Sequence, residues 1–195
     1  MIRKYRKYVF IVLVLLAGVV IPVTRVNAAS TFTVDSTADD SDSSAGDGSC
    51  DIGDGSCTLR AAIQEANALA GADVIEFDLP GPSYTISPSS LLPVITEALT
   101  IDGTSQTGWV VNGAVAPEAF DDGTMVVVVD GTSAGNVSGF NVQTDSVTIK
   151  GLVISNFTYD GISLDNGASN VTITGNYIGT EDDGTTGAGN GSNGI

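Results

Sequence analysis

Four short segments of one pattern recur along this chain: "VIEFD" from Val74, "LTIDG" from Leu99, "VTIKG" from Val147 and "VTITG" from Val171. Each alternates apolar and polar residues over a few positions, the pattern of a half-buried strand. Their starts differ by 25, 48 and 24 residues. Because 48 is twice 24, a further strand is expected in the gap, at "MVVVVDG" (125–131). A period of ~24 residues is too short for a propeller blade, and the β-branched content does not suit helical repeats. A parallel β-solenoid follows, in which matching side chains of successive coils stack ~4.8 Å apart. Val147 is then predicted over Val171, Ile149 over Ile173, Gly151 over Gly175 and Ile154 over Ile178. Gly161 matches Gly194 at a spacing of 33, which leaves 33 − 24 = 9 extra residues in "GTEDDGTTGAGNGSN". "SNGI" stops where a new strand should start, so the chain reads as ending in mid-coil.

One stretch breaks the strand pattern. In "CTLRAAIQEANALAG", Leu59, Ala62, Ile63, Ala66, Leu69 and Ala70 recur at helical spacing, with Arg60, Gln64, Glu65 and Asn67 off the stripe. Thr58 is placed to cap the first turn, and Gly71 to end the helix as a left-handed residue. A helix of about three turns needs something to dock on. The end of a solenoid exposes apolar core and unpaired strand edges, so this helix is expected to lie across the first coil. Leu59, Ile63, Ala66 and Leu69 would face it. "STFTV" (30–34) reads as a short first strand, and the Asp-, Ser- and Gly-rich residues 35–54 as a surface loop.

The N-terminal end has the layout of a secretory signal. Arg3, Lys4, Arg6 and Lys7 precede an apolar run from Val9 to Ile21, and "VNA" (Val26, Asn27, Ala28) offers small residues for cleavage after Ala28. The run is shorter than the ~20 residues of a spanning helix. The expected organisation is a signal peptide over 1–28, an N-terminal cap over 29–73 and stacked coils over 74–195. Cys50 and Cys57 are the only cysteines, and in an exported chain they are expected to form a disulfide. With no histidine in the chain, a tetrahedral zinc site is not expected. Removal of 1–28 takes five of the seven basic residues and none of the 23 acidic ones, leaving 2 − 23 = −21. Such a chain repels nucleic acid and anionic membrane surfaces, and acidic polymers too unless metal ions bridge the two.

Few residues suggest chemistry. Lys150 is the candidate base for a lyase, with no second basic group to support it. Glu181, Asp182 and Asp183 offer carboxylates for a hydrolase, in an inserted loop without an evident frame. Triads that need histidine are excluded. No catalytic or cofactor-binding residue is therefore assigned. Calcium is the more credible ligand. Asp35, Asp39, Asp40, Asp42, Asp47, Asp51 and Asp54 crowd one loop with hard oxygens, although "DDSDSSAGDG" fails the spacing of a helix–loop–helix calcium loop. The same loop also reads as simply hydrated. Thr148 and Thr172 begin a threonine ladder too short to assign. The Asn-x-Ser/Thr sequons at Asn136, Asn156, Asn170 and Asn190 carry meaning only where the host glycosylates.

"CTLRAAIQEAN" (57–67) closely resembles the signature of the CSLREA domain, with Thr58 for its second letter and Ala61 where the pattern has Glu. "GADVIEFDLPG", "LTIDGTSQTGW", "VTIKGLVISNF" and "GNYIGTEDDGTTGAGNGSNGI" resemble right-handed parallel β-helix repeat proteins secreted by bacteria. The likeness spans roughly residues 30–195. It implies an all-β fold, a right-handed parallel β-helix with an N-terminal capping helix, C-terminally incomplete. It also implies an exported or surface-attached protein. With the export signal, the solenoid and the missing acid–base set, the expected function is a secreted or cell-surface module with a structural or adhesive role, a carbohydrate or surface polymer as partner, and no catalysis of its own. The alternative is a fragment of a polysaccharide-active enzyme: a lyase, hydrolase or epimerase.

Overall fold

The computed structural model describes residues 28–81, 84–110 and 124–195. The expected signal segment, apart from Ala28, lies outside the described residues. In chain order the elements are β1 (Thr31–Val34), α1 (Leu59–Ala68), β2 (Asp73–Phe77), β3 (Thr85–Ile86), β4 (Leu99–Asp102), β5 (Val127–Asp130), β6 (Phe140–Val142), β7 (Thr148–Lys150), β8 (Leu152–Ser155), β9 (Ile162–Leu164), β10 (Thr172–Thr174) and β11 (Tyr177–Ile178). Single 3-10 turns follow β4 and β5, at Gly103–Ser105 and Gly131–Ser133.

The single right-handed β-helix expected from the period is corrected here. The strands divide among three separate sheets, ordered β1-β2-β4-β7-β10, β11-β8-β5-β3 and β6-β9. All strand pairs in them are parallel, the pairing typical of α/β sheets. The strand expected between β4 and β7 does form, at Val127–Asp130, but it joins a different sheet. β4 pairs directly with β7 instead. A periodic pattern marks which segments extend. It does not fix the sheet a segment joins, because that depends on where the intervening chain turns.

Register within the first sheet places Phe32, Ile75, Ile101, Ile149 and Ile173 in one row. In the second sheet Ile86, Val129, Ile154 and Ile178 form another. The first four residues of the first row and the first three of the second are buried, and Ile173 and Ile178 are half-buried against the same core. Each buried aliphatic contributes about 1.5–3 kcal/mol by transfer from water. The pairs Ile149–Ile173 and Ile154–Ile178 are those predicted from the repeat.

Thr58 caps α1 as expected, its hydroxyl accepting from the Ala61 amide at 3.0 Å. Leu59, Ile63 and Ala66 are buried in the common core, and Leu69 packs against it half-buried. The helix packs against β1 and β2. Its end is earlier than predicted. Leu69, not Gly71, closes it, in an extended conformation with its amide donating to the Glu65 carbonyl. The polar face of α1 is not a solvent face. Arg60 donates to Asp39 and to the Ser90 and Leu91 carbonyls. Gln64 Oε1 accepts from the Asp42 amide, and Asn67 is bonded to Val94 and Thr96. The helix thus grips the acidic loop on one side and residues 90–96 on the other.

Candidate functional site

Lys150 ends β7 with its side chain on the outer face. Parallel register sets Asp102 of β4 beside it, and the two form an ion pair at 2.8 Å between Nζ and Oδ2. The one lysine considered as a base is therefore positioned by a carboxylate. Arg60, the other cation of the described chain, pairs with Asp39 at 2.9 Å.

A concavity lies over the second sheet. Two adjoining depressions of about 250 and 270 Å³ share Thr85, Val128 and Asp182. One continues past Tyr84 and Met125, and the other past Asp130, Ser155, Asn156 and Glu181. The strands present these side chains because Thr85 and Val128 pair in register on the face opposite the Ile86–Val129–Ile154 row. The lining mixes one aromatic wall, hydroxyls and an amide with three carboxylates.

Burial alone would raise the Asp130 carboxyl. Hydrogen bonds from the Thr132 hydroxyl, the Asn156 amide and the Thr132 backbone outweigh it and hold Asp130 below the ordinary carboxylate range. Asp183 lies in the turn carrying Glu181 and Asp182. The Thr186 hydroxyl and amide, with the Thr185 amide, lower it to about 2. A general acid must hold a proton near working pH, and these two shifts run the opposite way. The inserted loop has a frame after all. Thr180 and Gly187 form an antiparallel bridge, and the Glu181 amide donates to the Thr186 carbonyl at 2.8 Å. Asp183 is turned onto this backbone, whereas Glu181 and Asp182 face the cleft.

The carboxylates considered for calcium are dispersed among local bonds. Asp39 binds Arg60 and Ser89. Asp42 accepts from the Ser44 and Asp51 amides, Asp47 from Ser49, Asp51 from Gly53 and Gly55, and Asp54 from Ser56. Asp35 accepts from Cys57, and Asp40 offers its backbone carbonyl to the Thr58 hydroxyl. Among the described residues, no group of three or more Cys, Asp or Glu is placed to hold a metal ion. Cys50 and Cys57 form the expected disulfide, a link across a sequence separation of seven. A loop this short contributes about 2 kcal/mol through the unfolded chain. Reduction, or Cys50→Ser with Cys57→Ser, is expected to lower Tm by about 4–8 °C in a thermal melt with and without reductant.

Pattern reading missed Glu65 as a structural residue. It lies off the apolar stripe, yet it is fully buried and accepts from the Gly46 and Gly48 amides, at 2.5 Å each. The available signal was a loop rich in glycine opposite the polar face of the helix. Among the described residues no helix is long and apolar enough to cross a membrane. Comparison with known proteins found no matching family model, no matching curated protein and no matching solved structure.

Proposed function

We propose that this chain is a secreted or cell-surface module with a structural or adhesive role and no catalysis of its own, and that its cleft holds a neutral carbohydrate. The observation that carries this reading is the Lys150–Asp102 ion pair, which occupies the one candidate base. The lowered carboxyls of Asp130 and Asp183 favour the same reading. A net negative cleft repels uronates, while an aromatic wall, hydroxyls and an amide suit a neutral sugar. Export is supported by the signal-like first 28 residues, by the disulfide, and by the likeness of residues 57–67 to the CSLREA signature.

A glycan array run beside reducing-sugar and unsaturated-uronate assays tests the proposal. Binding to neutral glycans without turnover is expected. Tyr84→Ala is expected to weaken that binding about tenfold, the equivalent of about 1.4 kcal/mol. Turnover that disappears on Lys150→Ala or Asp182→Asn would contradict the reading. That outcome would favour the polysaccharide-active alternative, for which Glu181 and Asp182 at the cleft are the specific support.

A further inference from the structure

Asp73 opens β2 on its inward side, with Ile75 and Phe77 next on the same face. It is 1 % exposed. Its Oδ1 accepts from the Ser30 amide at 2.7 Å, while its Oδ2 is buried without a hydrogen-bond partner. Ser30 is pinned a second time, its carbonyl accepting from the Val74 amide at 2.8 Å. A buried carboxylate with an unpaired oxygen is costly unless a cation or donor reaches it. Neither side-chain cation of the described chain is free to do so, because Arg60 and Lys150 are paired with Asp39 and Asp102.

One further cation would be made by processing. Cleavage after Ala28 leaves Ala29 as the first residue, and its nitrogen is three covalent bonds from the Ser30 nitrogen already bonded to Asp73. In the uncleaved chain Ala29 carries a planar amide with one hydrogen in a fixed direction. The released α-ammonium carries three hydrogens, rotates freely and is positively charged. We propose that the mature N-terminus at Ala29 forms an ion pair with Asp73 Oδ2, so that removal of the leader completes the β1–β2 end of the first sheet. The proposal rests on the export reading above. It assigns Asp73 a role as the receiver of the processed terminus.

The test compares four chains: one beginning at Ala29 with a free amine, the same chain Nα-acetylated, and both forms carrying Asp73→Asn. Asparagine keeps an oxygen for the Ser30 amide, so the variant retains that bond. The free amine is expected to raise Tm over the acetylated form by about 3–8 °C, and Asp73→Asn is expected to shrink the difference below about 1 °C. The free α-amine of the Asp73 chain should also acylate several-fold more slowly when folded than when unfolded in urea, a readout that needs no variant. Equal melting of the free and acetylated chains, or a difference unchanged by Asp73→Asn, would overturn the pairing. Intact-mass analysis of the exported protein separates the other failure: a mature chain starting anywhere but Ala29 overturns the proposal through the export reading.

Discussion

Gly103→Ala is expected to cost about 3 kcal/mol or more, with Tm falling by about 6–12 °C or the chain failing to fold. Gly103 opens the turn after β4 and is buried. A Cβ there would overlap the Gly151 carbonyl oxygen and sit 2.6 Å from Leu152 Cδ2 and 2.7 Å from the Gly151 carbonyl carbon. The obstacle is largely backbone, so no side-chain rotation relieves it. The close approach is reciprocal: a Cβ at Gly151 would lie 2.7 Å from the Thr104 nitrogen, and Gly151 also has φ +71°. These glycines meet because Asp102 and Lys150, the residues just before them, are register partners. Gly187→Ala is the control. It has open space at its Cβ and no left-handed φ, and its effect is expected within about 0.5 kcal/mol. Urea unfolding of the three chains measures both. Equal stabilities for Gly103→Ala and the parent would contradict the direct contact of β4 with β7.

Glu65→Ala is expected to lower stability by about 2–4 kcal/mol, because it removes two charge-assisted hydrogen bonds from a fully buried site. Gly46 and Gly48, the two donors, have φ +98° and +91°, so the loop is shaped around the carboxylate in conformations that other residues rarely adopt. Glu65→Gln is expected to lose less, about 1–2 kcal/mol, since one acceptor oxygen remains while the amide faces a second donor. Amide exchange at Gly46 and Gly48 should quicken in both variants. A loss under about 0.5 kcal/mol with unchanged exchange would mean that the loop holds itself.

What the residues disclosed and what they concealed follow from the range of the interactions. The Thr58 cap, the Cys50–Cys57 link and the extended segments of β2, β4, β7 and β10 are local patterns, and all are present. The row Ile149–Ile173 was legible because its two segments repeat at a spacing of 24 residues. The sheet to which β5 belongs was not legible. "MVVVVDG" extends equally well in either sheet, and its neighbours are set by connections that carry no periodic signal. The division into three sheets was missed for that reason.

The candidate site divides the same way. Lys150 was visible as a lone base, but its neutralising partner lies 48 residues earlier and is brought to it only by the β4–β7 pairing. Glu65 reads only as a residue off the apolar stripe, because its partners are backbone amides, which no side-chain pattern reveals. The cleft is built from side chains on β3, β5 and β8 and the inserted turn, so no contiguous motif announced it. Asp183 illustrates the limit of counting carboxylates: of the three acids in "EDDG", it is spent on its own turn.

The pairing of β4 with β7 sets both the Gly103–Gly151 contact and the Lys150–Asp102 pair, so it is the point to measure. Backbone protons of paired parallel strands lie close enough for nuclear Overhauser contacts, whereas facing sheets stand ~10 Å apart. Such contacts are expected between residues 100–102 and 148–150, with none between 100–102 and 127–130. Contacts joining 100–102 to 127–130, with 148–150 on the far side of that strand, would contradict the strand order and free Lys150 from Asp102.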